Sequence, residues 1–504
     1  FETAFEPVIG AERCCRLPAG AIARRPVCVA ALPPLPARLA LLGERRDSLP
    51  EVLGPEAGEP QLDRLALLAL GQAGEGDESA DHLLVSLQRE GRVGGDLVNF
   101  EAIKTVEGAG SLWTTAGEDL KIGAGGTGRL IVQDQGQVQS SDLYVGYSSS
   151  GTLDIAGGGL VQSSDLYVGY SGPGTLNLDG GGLVQSSDVY VGYSSSGTLN
   201  LDDGGRVEST RGYIGYDDET VGTVVARGVG SGWTTTGSLY VGQSPSIEGS
   251  LVLEDDSSVD VGGLLEIARG STVKVAGGRL TAGGLSGEGW IDFRSGTIEI
   301  TGGDLSVGSR PVGSSLTLGT SDVVDVSGKI AVDVAASLNA WSASLDCQEF
   351  DNAGYASLSG DGSLTAQTSV RNRGVLTLAG GAITAPQVTN DFGASMSAKG
   401  AIEGAFANHG ALSLTGVLAV SGTMTNDGTI EIDAAASLAQ SAGLDNAGVI
   451  EMHGGAILGA GTVVNLPGDI IRGEGAIASD LDNNGGLIHA NGSSLLSLAN
   501  LING

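Results

Sequence analysis

The feature that most constrains the fold is a tandem repeat of 23 residues. Three near-identical units, which begin at Ser140, Ser163 and Ser186, read SSDLYVGYSSSGTLDIAGGGLVQ, SSDLYVGYSGPGTLNLDGGGLVQ and SSDVYVGYSSSGTLNLDDGGRVE. A fourth element with the same spacing, Tyr-Ile-Gly-Tyr, begins at Tyr213. A unit this short cannot bury an apolar face by itself, so we expect successive units to stack on one another.

Apolar and polar side chains alternate within each unit, with the period of two residues that is typical of a β-strand. In the first unit, Leu143 and Val145 fall on one side and Tyr144 on the other. Ser- and Gly-rich segments between the short strands are typical of turns that need positive φ. We therefore predict a parallel β-solenoid in which Leu143 lies on Leu166 and Val189, and right-handed coiling is the default for such crossovers.

The C-terminal part of the chain carries a different repeat, with Asn followed by Gly one to three residues later, every 18–20 residues. The marker residues are Asn352, Asn372, Asn390, Asn408, Asn426, Asn446, Asn465, Asn484 and Asn503. We expect one Asn at a corner of every turn, because its short side chain tolerates the left-handed conformation. The amides of successive turns should bond to one another as a ladder.

These repeats divide the chain into four segments. Residues 101–262 form a solenoid with the 23-residue repeat, 263–350 are transition turns, and 351–504 form a solenoid with the Asn-x-Gly repeat. The predicted fold is an all-β parallel solenoid of about twenty turns. Residues 1–100, rich in Arg, Pro and Ala, are expected to be poorly ordered or a non-native extension, with one helical pattern over Asp81–Arg89.

Composition excludes several kinds of partner. The net charge of −33 argues against nucleic acid and anionic lipid, which both attract Lys- and Arg-rich surfaces. No apolar stretch reaches the roughly 20 residues of a transmembrane helix, so we expect none. The cysteines, Cys14, Cys15, Cys28 and Cys347, fit neither a disulfide framework nor a zinc pattern.

The units D-L-Y-V-G-Y-S-x-S/P-G-T-L-x-L/I-x-G-G-G and G-x-G-S-x-W-T-T-x-G-x-L-Y-V-G resemble a known bacterial repeat. It is the repeat associated with type V secretion (autotransporter) passengers and PEP-CTERM surface proteins, and the resemblance covers residues 108–262. Residues further along resemble autotransporter-passenger β-helices generically. The resemblance implies a secreted or surface-displayed bacterial β-helix, in a family whose molecular activity is mostly unassigned. For this chain we expect an adhesin or structural protein at the outer membrane.

One tyrosine of each unit is a candidate ligand-binding residue. Tyr144, Tyr167, Tyr190, Tyr213 and Tyr240 are expected to form an exposed column. Flat aromatic rings match the faces of sugars, so one reading is a carbohydrate-binding stripe. The other reading is a ladder of rings that stack on each other and shield the sheet.

Asp142, Asp165 and Asp188 form a second expected column, which is the candidate metal site. Carboxylates one strand spacing apart repel each other. A cation, calcium by preference, would bridge them. Alternatively, each Asp caps its own turn through bonds from its side chain to the backbone. No other cofactor is expected.

Residues suited to catalysis are scattered. His82, His409, His453 and His489 form no metal-binding pattern, and Arg371 with Arg373 is an isolated basic pair. We therefore expect a structural or adhesive stalk without catalysis, located extracellularly or on the bacterial cell surface. The alternative is a polysaccharide lyase or hydrolase with its site in residues 263–350.

The expected partners are surface glycans or other cell-surface proteins. Exposed strand edges at an open end of a solenoid also predict end-to-end self-association.

Overall fold

The fold is an all-β parallel β-solenoid of about 18 turns, which confirms the predicted fold class. The computed structural model describes residues 103–115, 117–217, 220–243, 246–491 and 496–503, and three short strands between residues 85 and 100. All of them belong to one compact unit, Leu70–Gly504. Apart from those strands, the expectation of low order or non-native sequence in residues 1–100 lies outside the described residues.

The described residues contain 41 strands. The first part of the chain has β1 Val85–Gln88, β2 Arg92–Val93, β3 Asn99–Phe100, β4 Ile103–Glu107, β5 Leu112–Thr114, β6 Leu120–Ile122, β7 Gly128–Gln133, β8 Gln137–Gln139, β9 Leu143–Val145, β10 Gly151–Ile155, β11 Leu160–Val168, β12 Gly174–Leu178, β13 Leu183–Val191, β14 Gly197–Leu201, β15 Arg206–Ile214, β16 Val221–Arg227, β17 Gly232–Thr235, β18 Leu239–Val241, β19 Glu248–Glu254 and β20 Ser258–Ile267. The second part has β21 Thr272–Ser286, β22 Trp290–Ile300, β23 Leu305–Val307, β24 Ser315–Leu318, β25 Val323–Val332, β26 Ser337–Trp341, β27 Ser344–Asn352, β28 Tyr355–Ser359, β29 Ser363–Asn372, β30 Val375–Asn390, β31 Ser395–Asn408, β32 Ala411–Val420, β33 Met424–Asn426, β34 Thr429–Asp433, β35 Ser437–Gln440, β36 Leu444–Asn446, β37 Val449–Leu458, β38 Val463–Asn465, β39 Ile470–Asn483, β40 Leu487–Ala490 and β41 Leu496–Asn503.

Each turn contributes three strands or strand segments, and these define three faces of the solenoid. Face 1 starts with β1, face 2 with β2 and face 3 with β3, which pair in parallel with β4, β5 and β6 of the next turn. Longer strands such as β11 and β13 continue around a corner and belong to both face 2 and face 3. At a spacing near 4.8 Å between strands, the turns build a rod of about 90 Å.

Columns of like residues form the interior, as the repeats predict. Leu143 is in register with Leu166, which is in register with Val189, and all three are fully buried. Each of these side chains fills the space above its counterpart in the turn below. Stacking therefore gives the chain one continuous core although no single unit could form one.

The C-terminal turns contain a buried ladder of asparagines. Its members are Asn352, Asn372, Asn390, Asn408, Asn426, Asn446, Asn465 and Asn483, and the first seven are 0–1% exposed. The Nδ2 of each of the first seven donates to the Oδ1 of the next Asn over 2.7–2.9 Å. Most of these amides also donate to a backbone carbonyl, such as that of Ser395 for Asn372. The ladder satisfies polar groups that would otherwise be costly inside the core.

Two details of the expected ladder were wrong. The member that follows Asn465 is Asn483, which is in register with both Asn465 and Asn503. Asn484 is the next residue and is exposed at the corner after the strand. The described ladder residues also have no positive φ. They end extended strands with their side chains inward, because the amide is held by its counterparts and the turn itself is made by the residues that follow.

Asp81–Arg89 was expected to be helical, but its described residues form strand β1 instead. Val85, Leu87 and their neighbours pair with β4, so that contacts with the next turn override the helical pattern. No helix in the described part of the chain has the length and apolar character needed to cross a membrane.

Candidate functional site

Nine tyrosines form two adjoining columns where face 3 turns towards face 1. The first column contains Tyr144, Tyr167, Tyr190, Tyr213 and Tyr240, and the second contains Tyr147, Tyr170, Tyr193 and Tyr216. A glycine with positive φ, such as Gly146 at 80°, reverses the chain between the two tyrosines of each Tyr-x-Gly-Tyr element. The local sequence therefore places both rings on the same corner of every turn.

The rings of each column stack face to face. Neighbouring centroids are 4.7–5.1 Å apart in the first column and 4.9–5.4 Å apart in the second, with planes within 10° of parallel. Between the columns, rings meet edge to face at 4.8–5.6 Å and 81–90°. Both arrangements are favourable for aromatic pairs.

The first column is not exposed, contrary to expectation. Its rings are half-buried, and Tyr213 is only 7% exposed. Rings in the middle of the described column have a neighbour on each face, so a sugar could meet only their edges. Ligand binding by these tyrosines stays a prediction, and the geometry favours the ladder that shields the sheet.

The second column was not predicted from the sequence. Tyr147, Tyr170 and Tyr193 recur with the same 23-residue spacing as the first column, so the signal was present. Tyr147 lies after the end of β9, so the alternation of side chains along a strand does not predict where its ring lies.

Burial and nearby acids disfavour ionisation of three tyrosines of the first column. Burial raises the pKa values of Tyr144, Tyr167 and Tyr190 well above the usual range, and a neighbouring carboxylate adds to each shift. For Tyr167 the nearest of these is Asp165, whose Oδ2 accepts a long hydrogen bond of 3.5 Å from the tyrosine hydroxyl. These three tyrosines therefore stay neutral donors at physiological pH.

The acidic column runs beside the tyrosines, but its carboxylates do not cap their own turns as expected. The Asp142 Oδ1 accepts a hydrogen bond of 3.2 Å from the backbone N–H of Asp165 in the next turn. Asp119, one turn below, accepts in the same way from the N–H of Asp142 at 3.4 Å. Each carboxylate thus links two turns, and Asp119 extends the column by a member that the sequence analysis missed.

Cations balance the column at its two ends. Arg211 replaces the next Asp in register and binds Asp188 through two bonds, Nε–Oδ1 at 2.9 Å and Nη2–Oδ2 at 2.6 Å. Lys121 lies 3.9 Å from a carboxylate oxygen of Asp119 at the other end. Asp165, between them, has a raised pKa because of burial and then the carboxylates of Asp188 and Asp142.

The candidate calcium site is not assembled as a metal cluster. Among the described residues, no group of three or more His, Cys, Asp or Glu side chains is placed to hold a metal ion. Asp142, Asp165 and Asp188 instead have protein hydrogen-bond partners, and calcium binding by them stays a prediction.

The basic pair is also occupied. Arg371 Nε bonds to Asp391 Oδ2 at 2.6 Å, and Arg373 Nε bonds to Asp351 Oδ1 at 2.8 Å. His409 Nδ1 lies 2.6 Å from Asp427 Oδ1 in the following turn. These side chains bind across turns on face 3 and at the corner after it, and they do not converge on one point.

The fold and the ladders define the class of this protein: a three-sided parallel β-solenoid built from stacked tandem repeats. No family model matches the chain, and no curated protein matches it either. The resemblance to autotransporter and PEP-CTERM repeats therefore rests on the repeat residues alone.

Among solved structures, the chain is similar to a TibC-catalysed, hyper-glycosylated fragment of TibA, residues 55–350. The two are 14% identical over 78% of this chain and 99% of the fragment, with a TM-score of 0.17. A score this low does not describe a common superposition, so the likeness supports no argument about function.

Proposed function

We propose that this protein is a structural or adhesive stalk that is secreted or displayed on a bacterial cell surface. The observation that carries the proposal is the continuity of the ladders: inward residues of successive turns remain in register along the rod. Such a rod holds whatever it presents at a fixed distance from its point of attachment. The strongly acidic composition suits exposure to solvent on all three faces.

The use of polar groups supports a role without catalysis. Arg211, Arg371 and Arg373 each form an ion pair with an Asp of another turn. Cys347 is a free, buried thiol, and burial raises its pKa to about 12, so it is not a thiolate nucleophile near neutral pH. The three ion pairs link neighbouring turns, which supports a structural role for these side chains.

Labelling of intact source cells tests the proposed location. An antibody raised against the solenoid should label unpermeabilised cells or recover the protein from the medium, and added protease should remove the cell-bound signal. Labelling that requires permeabilisation would contradict the proposal. A cytoplasmic protein labelled in the same cells controls for lysis.

The alternative function is a polysaccharide lyase or hydrolase, for which the most suitable residues lie outside the expected segment 263–350. On face 1, Glu451 contacts Arg472 and lies 3.9 Å from His453, beside Glu474. These residues border a depression of about 270 Å³. Within residues 263–350, by contrast, Arg310 forms a cation–π contact with Trp290, with its guanidinium carbon 3.2 Å from the ring centroid.

Incubation with acidic and neutral glycans tests this alternative. Product that is lost on denaturation and in both Glu451→Gln and Glu474→Gln would establish the enzyme. The stalk proposal predicts that no product forms with the folded wild-type protein.

A further inference from the structure

One outer surface of the solenoid differs from the rest in charge. On face 1, from β24 to β32, six turns present outward side chains between residues 315 and 415. The middle column of this surface is Thr317, Asn339, Ser357, Thr377, Ser397 and Ser413, which are in register from turn to turn. We call these six turns of face 1 the neutral face.

The outward positions of the neutral face carry no carboxylate, and Lys399 is their single charge. Charges return on either side along face 1, at Asp292 before it and at Glu431 after it. Faces 2 and 3 of the same turns are charged, for example at Asp346 on face 2 and Asp351 on face 3. In a chain of net charge −33, the lack of any carboxylate on a surface of this extent sets the neutral face apart.

The polar groups of the neutral face are open to a ligand. Elsewhere, outward amides bond to each other from turn to turn: Gln139 donates to Gln162 over 2.9 Å, and Asn200 donates to Asn177 over 2.8 Å. On the neutral face, which is described throughout, no side-chain hydrogen bond is formed by Asn339, Thr377 or their four column neighbours. Their donors and acceptors therefore face solvent.

Aromatic rings lie at both edges of this surface. Trp341, at the end of β26, is 62% exposed, although Trp is a residue that proteins usually cover. At the opposite edge, Tyr355 begins β28 and is 39% exposed. Phe392 lies at the same edge, at the corner just before β31, and is 76% exposed. A shallow depression of about 150 Å³ beside this second edge is lined by Val375, Ser397 and Ser413 and reaches Glu431 of the next turn.

We propose that the neutral face binds an uncharged polysaccharide chain. Hydroxyl and amide groups on the sheet complement sugar hydroxyls, and exposed rings complement the apolar faces of sugar rings. An acidic glycan would meet a negatively charged protein with only Lys399 to balance it. The inference rests on the proposed function, because it supplies an extracellular adhesive stalk with its ligand class.

Affinity electrophoresis tests the inference with dextran, a soluble β-1,3-glucan and a galactomannan as neutral probes and alginate as the acidic one. At least one neutral polysaccharide should retard the wild-type protein, and alginate should not. Thr377→Glu puts a charge in the centre of the face and should weaken that binding about tenfold, the equivalent of about 1.4 kcal/mol. Trp341→Ala should weaken it about three- to tenfold through loss of ring contact.

Thr389→Glu is the matched control, because Thr389 lies half-buried and outward on face 3 of the same strand, β30. It should bind like the wild type. If Thr377→Glu does not fold, Ser397→Glu places the charge one turn further and carries the same expectation.

Several outcomes would overturn the inference: retention by no neutral probe, retention by alginate alone, or binding that Thr377→Glu and Thr389→Glu reduce equally. Sedimentation that shows a dimer dissolved by Thr377→Glu, without glycan binding, would assign the face to a second copy. Cell labelling separates the two proposals, since a surface-displayed protein that binds no neutral glycan would disprove only the ligand.

Discussion

A single amide in the asparagine ladder serves two neighbours at once. Asn408 accepts from Asn390 and donates to Asn426, both over 2.7 Å. Asn408→Ala should leave one buried donor and one buried acceptor unpaired and lower the free energy of unfolding by about 2–4 kcal/mol. Urea denaturation followed by circular dichroism measures this loss.

The control for that change is Asn484→Ala, at an exposed Asn that the sequence pattern had assigned to the ladder. Its effect should stay within about 0.5 kcal/mol. Equal losses in the two variants would show that the ladder does not stabilise the fold.

Neighbouring members of the acidic column should respond in opposite directions. Asp165→Asn removes repulsion from Asp142 and Asp188 and should raise the free energy of unfolding by roughly 0.2–1 kcal/mol at pH 7. Asp188→Asn loses the negative charge and one of the two oxygens that accept from Arg211, and should lower the free energy of unfolding by about 1–2 kcal/mol. Urea denaturation of both variants tests the signs, and a shared sign would contradict this account.

The pH dependence of the same column follows from the raised pKa of Asp165. The folded chain holds this proton more tightly than the unfolded chain, whose Asp pKa is about 3.9. Its contribution to stability is therefore present at acidic pH and is lost as pH rises from about 4 through the raised pKa. Asp165→Asn should remove that component of the pH profile.

Residue positions were predictable where they depend on alternation alone. Leu143 and Val145 follow a period of two, and the structure buries both. The inward direction of Asn352 was not predictable in this way, because a buried amide is tolerated only when the next turn supplies the matching amide. The matching amide comes from a neighbouring turn, so the sequence of one repeat unit cannot show whether it is present.

Close contact between turns at their corners limits which residues can begin a strand of face 1. A Cβ at Gly174, which starts β12, would lie 2.2 Å from the backbone N of Gly169 and 2.3 Å from the carbonyl oxygen of Val145. Gly174→Ala should therefore push turns apart and cost about 1–3 kcal/mol. Thermal or urea unfolding measures the cost.

Gly303→Ala is the matched control, since a Cβ there meets nothing closer than 3.8 Å and the residue has no positive φ. Its change should stay below about 1 kcal/mol. A larger loss for Gly303→Ala than for Gly174→Ala would rule out steric contact as the cause.

At the scale of elements, the repeats predicted strands and their register but not all corners. The second tyrosine of each unit lies after the strand, and its stacking depends on the turn that Gly146 allows. Likewise, β1 carries a helical pattern, yet parallel pairing with β4 determines its structure. Contacts between turns decide these cases, and they are absent from a pattern read along one unit.

At the scale of the whole molecule, equal repeats were enough to predict a solenoid of stacked turns. The location of the neutral face was harder to predict from the sequence. This face brings together residues such as Asn339 and Ser413, which are more than 70 positions apart in the chain. The shared face of these two residues follows only from the register of four successive pairings.

Two deletions that differ by one residue test the stacking of equal turns most directly. Removal of residues 168–190, 23 in all, joins Tyr167 to Val191 and keeps every later side chain on its side of the strand. Removal of 168–189 leaves one extra residue in the strand and turns an inward position outward. Circular dichroism and urea denaturation should show that the first variant folds cooperatively with wild-type strand content per residue, whereas the second loses several kcal/mol or does not fold. Equal behaviour of the two variants would contradict the fold.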